Sequence, residues 1–149
     1  MKYFSKKVRN EYGEFDSKAE YERFLVLKHQ EDIGVISDLQ RQVEFEIIPK
    51  LVKIVDVPLK TKVKQVERVE ERPAHYTADF CYRDNDNKYI IEDLKSKYTQ
   101  SLADYKLRKK LMKHIIAKHN KEVGFDDWEF KEVMSTPNGR KKKSKALGV

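Results

Sequence analysis

The chain has 149 residues, of which 38% are charged and 39% hydrophobic, and a formal net charge of +7. That length suits one ordinary domain with a real core, and no run approaches the roughly 18 consecutive apolar residues of a membrane span. Cys81 is the only cysteine, which excludes an internal disulfide and a CxxC-type zinc site, and the charged start MKYFSKKVRNEYGEF lacks a signal-type apolar stretch, so an intracellular, cytoplasmic protein is expected.

The charge is uneven. Arg140, Lys141, Lys142, Lys143 and Lys145 contribute +5, leaving +2 for the rest. Residues 1–136 read as a single domain and 137–149 as a basic, flexible tail. The tail suits a polyanion partner through counterion release, and equally a solubilising end. Net charge alone names no function.

In chain order, residues 17–31 form the first expected helix, capped by Asp16 or Ser17, with Tyr21, Phe24, Leu25 and Leu27 as its apolar face. Gly34 breaks it. Residues 41–47 (RQVEFEI) alternate as a half-buried strand, Pro49 interrupts, and 51–57 (LVKIVDV) continue extended, with pairing back as a hairpin an open alternative. Residues 60–72 alternate charge with valine and read as an exposed strand, although a helix fits almost as well. HYTADFCYR (75–83) and KYIIEDLK (88–95) flank Asp84-Asn85-Asp86-Asn87, a concentrated turn signal, and so form a β-hairpin. Residues 101–121 read as a long helix whose stripe is Leu107, Leu111 and Ile115, widened by Met112 and Ile116. Gly124 ends it, and 127–133 (DWEFKEV) form a last strand. This order gives an α/β sandwich, a mixed sheet flanked by helices.

The hairpin carries the chemistry. If Asp84 pairs with Lys88 across the turn, Asp79 falls opposite Asp93, and strand alternation puts Lys95 on the same face. Two facing carboxylates repel unless a cation lies between them, and hard oxygen ligands favour Mg2+ or Mn2+. Such a cation with a nearby ammonium is what phosphodiester hydrolysis needs. A tighter turn would instead set Asp79 against Glu92, which is the competing second carboxylate. A solvated mixed-charge hairpin face is the bland alternative.

An aspartate on one strand and Asp-x-Lys on the next, between a glutamate-bearing helix and a basic helix, resembles the PD-(D/E)xK nuclease superfamily. FDSKAEYERF (15–24), RQVEFEI, YTADF (76–80) and IIEDLK (90–95) are similar to a family of small phage and prophage endonuclease-like proteins within it. The likeness spans residues 2–119, with Ala78-Asp79 standing where Pro-Asp is usual. It implies a restriction-endonuclease-like α-β-β-β-α-β core. Asp79 and Asp93 would bind metal with the Leu94 carbonyl, Lys95 would be the catalytic lysine, and Glu20 would complete the metal site. Ser17-Lys18-Ala19-Glu20 fits a helix capping box equally well. Gln42 matches a position where relatives carry glutamine near the site, or is a plain edge-strand polar residue.

Lys106, Lys109, Lys110, Lys113 and Lys121 cluster away from the apolar stripe of the long helix and would meet a DNA backbone, or form an ordinary solvated face. Arg108 falls within the stripe, either as an ion-pair partner or leaning toward the scissile phosphate. Tyr98, Thr99 and Tyr105 lie at the same end. The four histidines lack a zinc arrangement and read as surface or core. The expected function is a metal-dependent DNA endonuclease of phage recombination, replication or packaging, with Holliday junction resolution one candidate activity. Cutting both strands of a symmetric substrate would call for a homodimer. The rival is a non-catalytic nucleic-acid-binding module, and the valine-charge segment at 63–69 hints at a third reading, an interaction protein of a phage assembly.

Overall fold

The computed structural model describes residues 6–135, so the basic tail expected at 137–149 lies outside the described residues. A short hairpin that the sequence reading did not include, β1 (Val8–Asn10) and β2 (Gly13–Phe15), comes first. It drops Phe15 into the core. Helix α1 (Lys18–Asp32) follows, opened by Ser17, whose hydroxyl accepts from the Glu20 amide at 3.1 Å. Glu20, Phe24 and Leu27 are its buried residues, whereas Leu25, expected on the apolar face, is exposed.

Six strands follow in two groups. β3 (Ser37–Ile48), β6 (Ala74–Arg83), β7 (Tyr89–Lys95) and β8 (Trp128–Met134) make a four-stranded sheet in the order β3-β6-β7-β8. Only the β7–β8 pair is parallel. β4 (Leu51–Pro58) and β5 (Val63–Glu71) pair only with each other. The segment at 60–72 is therefore a strand, and its helical alternative is excluded. Leaving out the two hairpins and counting 97–123 as one helical segment, the core order is α-β-β-β-α-β, and the fold is mixed α/β.

The single helix expected at 101–121 is two: α2 (Lys97–Ser101), capped by Ser96, and α3 (Ala103–Val123), with extended Leu102 between them. The buried residues of α3 are Tyr105, Met112 and Ile116. Leu107 is 59% exposed, because the buried stripe runs through positions seven and eleven residues after Tyr105, opposite Leu107 around the helix. Gly124, at φ 85°, ends α3 in a left-handed turn that glycine adopts without strain.

Two cores result, one on each face of the sheet. α1 packs Phe24 and Leu27 with Phe15, Phe80, Tyr82 and Ile90. α3 packs Met112 and Ile116 with Tyr76, Ala78, Cys81 and Ile91. At the far end of the sheet, Asn120 bonds the Asp127 and Trp128 amides, and His119 stacks on Trp128 at 3.8 Å while bonding Asp127. His119 is thus committed to fastening α3 to β8. No helix among the described residues is long and apolar enough to cross a membrane.

Candidate active site

Adjacent carboxylates on β7 go to opposite faces, and each needs a partner because both are fully buried. Glu92 faces α1. Arg23 donates to it through Nε at 2.9 Å and Nη2 at 2.7 Å, and the Tyr82 hydroxyl adds a third bond at 2.8 Å. This clamp ties α1 to the sheet and leaves Glu92 no role beside Lys95. The reading of Glu92 as the second site carboxylate is corrected accordingly.

Asp93 faces the other way. Its Oδ2 accepts from the Tyr76 hydroxyl at 2.6 Å. Its Oδ1 is buried with no hydrogen-bond partner, although Lys95 Nζ makes an ion contact with it at 3.3 Å. The hairpin register is the expected one: Arg83 pairs with Tyr89, Cys81 with Ile91 and Phe80 with Glu92. The next rung would be Asp79 and Asp93, and there the pairing stops. The Leu94 amide donates to Asp79 Oδ2 at 2.8 Å, so β6 and β7 part with the two carboxylates at the fork. The part of Leu94 seen at the site is this amide; the metal-binding role implied for its carbonyl rests on resemblance.

The fork coincides with a break in strand alternation. On β3, the Arg41 guanidinium lies 3.6 Å over the Phe15 ring on the α1 side, whereas Val43, two residues on, packs in the α3 core. On β6, Phe80 belongs to the α1 core and Ala78 to the α3 core. Residues two apart in a regular strand share a face. Both strands therefore change face between the rungs Arg41–Phe80 and Val43–Ala78, at Gln42 and Asp79. Gln42 carries the deformation: its φ is +51°, a left-handed conformation costing a non-glycine residue about 1–2 kcal/mol.

The kink brings α1 into the site. Gln42 Nε2 donates to Glu20 Oε1 at 2.7 Å, and Arg41 Nη2 stands 3.9 Å from the same oxygen. Glu20 is buried, and its carboxyl is pushed up to about 7, by burial first and then by the charge of Asp79, against the pull of the Gln42 bond. The Asp79 carboxyl is pushed up to about 8, again by burial first and then by Asp93, with the Leu94 amide and Lys95 opposing. Ser17 does cap α1, but through the Glu20 backbone amide, which leaves the Glu20 carboxylate for Gln42. Gln42 is no plain edge residue.

On α3 the expected basic face divides. Lys106, Lys110 and Lys113 are exposed. Lys109 is bound to Glu132 at 2.8 Å. Arg108 Nη1 donates to the His75 carbonyl at 2.5 Å, with Asp104 beside its Nε at 3.3 Å, so it pins α3 to β6. Glu132 was not singled out from the sequence. It is the β8 partner of Asp93, and it accepts from the Tyr105 hydroxyl and the Gln100 amide as well as from Lys109. Lys95 Nζ lies 5.0 Å from the Tyr105 ring centre. Beside Tyr105 opens a depression of about 380 Å³ lined by Lys97, Gln100, Ser101, Lys106 and Lys109. Tyr76, Arg23 and Glu132 were missed because their partners lie on other elements; a buried acid needs a donor, but its identity is not a local signal.

No group of three His, Cys, Asp or Glu side chains among the described residues stands close enough to hold a metal. Asp79 and Asp93 still fit an ion of magnesium type, which takes one or two carboxylates and completes its shell with water and substrate oxygens. The bare, buried Asp93 Oδ1 and the two carboxyls held above their usual range are the features a cation would relieve.

No curated protein and no solved structure matches the chain. A family model does match, over residues 1–133, and the chain belongs to that family, described as Protein of unknown function (DUF1064).

Proposed function

We propose that the protein is a metal-dependent nuclease that hydrolyses phosphodiester bonds in DNA. The observation that carries this reading is the pair Asp79 and Asp93 at the fork of β6 and β7, with Asp93 Oδ1 buried without a hydrogen bond and Lys95 Nζ 3.3 Å from it. Resemblance to the PD-(D/E)xK superfamily supports it, as does the match of the core order to α-β-β-β-α-β.

Each residue then has a task. Asp79 and Asp93 hold a Mg2+ or Mn2+ ion, with Glu20 near enough to Asp79 to feel its charge and to serve the site directly or through water. When bound, such an ion neutralises charge on the phosphate and acidifies a coordinated water. Lys95 offsets the negative charge that grows on the phosphate oxygens. Tyr76 holds the Asp93 carboxylate in place, and Gln42 holds Glu20. Lys97 and Lys106 in the depression beside Tyr105 offer cations for flanking phosphates. Phage or prophage DNA recombination, replication or packaging is the setting that the resemblance suggests, including resolution of Holliday junctions.

Incubation of duplex, nicked, flap and four-way junction DNA with Mg2+ tests the reading, with Asp93→Ala as control. Cleavage by the wild-type chain and loss of it in the variant is expected. Equal cleavage by both would remove Asp93 from the site. The rival, a non-catalytic nucleic-acid-binding module, draws on the lack, among the described residues, of a group of three acidic, His or Cys side chains that could hold a metal. It requires DNA binding that ignores Mg2+ and survives Asp79→Ala and Asp93→Ala.

A further inference from the structure

Between Ser37 and Arg83 the chain forms one long antiparallel ribbon in two parts. β3 pairs with β6 as far as Ile48 and Ala74, and the pairing resumes at Leu51 and Glu71 in β4 and β5. Pro49 and Pro73 stand at the joint, where neither can donate to a ladder. The outer part leaves the sheet. β4 has eight residues, which makes an arm about 25 Å long at roughly 3.3 Å per residue. Its residues are exposed on both faces, with Val55, Val57 and Val66 half-buried. A two-stranded hairpin alone is marginal in water, so an arm of this kind calls for something to lie against.

The register sorts its charges. Paired residues share a face, so Leu51 with Glu71, Lys53 with Arg68, Val55 with Val66 and Val57 with Lys64 make one face. Val52 with Val69, Ile54 with Glu67, Asp56 with Gln65 and Pro58 with Val63 make the other. The first face carries three cations and, at its base beside a register shift, one carboxylate, Glu71. The second carries two carboxylates and no cation. Lys60 and Lys62 stand at the tip, in the turn that the Leu59 amide closes onto the Lys62 carbonyl.

We infer that the cationic face of this arm lies along double-stranded nucleic acid, and that duplex is therefore the substrate class of the site; this rests on the nuclease reading. Three cations outward of a single acid at the base suit a phosphate backbone, and a two-stranded ribbon is one of the two elements that the major groove of B-DNA admits. The length of the arm matches about seven base-pair steps at roughly 3.4 Å each. A second copy meeting arm to arm is the weaker occupant, because a two-fold axis between the arms sets like face on like face, cation against cation or carboxylate against carboxylate. The strands that lead into the arm are those that carry Gln42 and Asp79. A duplex held on the arm is thus tied to the strands that build the fork.

The test is fluorescence anisotropy on the full chain made cleavage-deficient by Asp93→Asn, using a short blunt duplex and a single strand of the same sequence. Lys53→Ala/Lys64→Ala/Arg68→Ala is added on one face and Asp56→Ala/Glu67→Ala on the other. The triple change is expected to weaken duplex binding about tenfold or more. It should also flatten the slope of log affinity against log salt by up to about 2.7, at roughly 0.9 per phosphate contact. Single-strand binding and the acidic-face variant should change by less than about twofold. Unchanged duplex affinity and salt slope, or equal loss for duplex and single strand, overturns the inference. So does a fall in sedimentation mass with binding intact, which assigns the arm to a second copy. Cleavage assays on the same changes with Asp93 restored separate the two readings. Wild-type cleavage with unaltered arm binding sinks the arm alone, whereas the expected binding losses with no cleavage by any form sink the nuclease and leave the arm.

Discussion

Replacing Asp79 with asparagine isolates the charge that the fork has to tolerate. The asparagine carbonyl can still accept from the Leu94 amide, so the change removes a negative charge and little else. The Asp79 carboxyl moves from 3.8 to about 8 on folding, by burial first and Asp93 second. At about 1.4 kcal/mol per unit, four units set a ceiling of roughly 5–6 kcal/mol. Because Asp93 shares in the interaction, half of that, about 2–3 kcal/mol, is the working magnitude. The folded value lies above the unfolded one, so this stability is fully present below about pH 4 and is lost as pH rises through about 8. Metal-free wild-type protein should therefore melt lower at about pH 8.5 than at about pH 5. At about pH 5 the folded carboxyl is neutral but the unfolded one is largely ionised, so the gap between wild type and Asp79→Asn should be narrower, and it should close only below about pH 4. At about pH 8.5 the variant should melt higher by roughly 5–10 °C, at about 2–4 °C per kcal/mol for a chain of this size. Mg2+ at about a hundred times its dissociation constant should return about 2.7 kcal/mol to the wild type at the higher pH, and far less to the variant. Calorimetry or differential scanning fluorimetry reads all four conditions. A difference between the proteins that is the same at both pH values, or a variant less stable than wild type at high pH, refutes the reasoning.

Two further substitutions separate scaffold from site. Arg23→Ala leaves Glu92 buried with its main partner gone, which should cost about 3–5 kcal/mol and lower Tm by roughly 6–20 °C; Arg23→Met/Glu92→Met should recover most of the loss, and a single variant as stable as wild type would show that the clamp does not hold α1. At Gln42, glycine relieves the left-handed backbone strain that alanine keeps, so Gln42→Gly should be more stable than Gln42→Ala by about 1 kcal/mol in denaturant melts, the reverse of the usual preference in a strand. Both lose the amide that lowers the Glu20 carboxyl, so the pH dependence of cleavage should shift in the alkaline direction, and an unmoved profile would detach Glu20 from the reaction.

Much of the site was legible in the chain because it depends on local rules. The Asp84–Asn87 turn set the hairpin register, with the Asp84 amide closing onto the Lys88 carbonyl at 3.0 Å. Two-residue alternation then put Asp93 and Lys95 on one face and Glu92 on the other. The α-β-β-β-α-β order was readable too, since each element announced itself by period, cap or breaker. The same reasoning placed Leu107 wrongly and joined α2 to α3, because neither Pro nor Gly marks the break at Leu102.

The remainder depends on partners distant in the chain. Nothing near Glu92 identifies Arg23, 69 residues away, as its partner. Nothing near Asp93 names Tyr76 or Glu132. The face change at Gln42 and Asp79 breaks the alternation used to read the strands, and it exists because two helices bury opposite faces of neighbouring stretches of one strand pair. The amino-acid order by itself determined which carboxylates and which lysine meet at the hairpin, because strand pairing is local and periodic. Only the tertiary structure decided that Glu20 and Gln42 join them while Glu92 and Lys109 are spent elsewhere, because burial forces each charged group onto whichever partner the packed helices bring within reach.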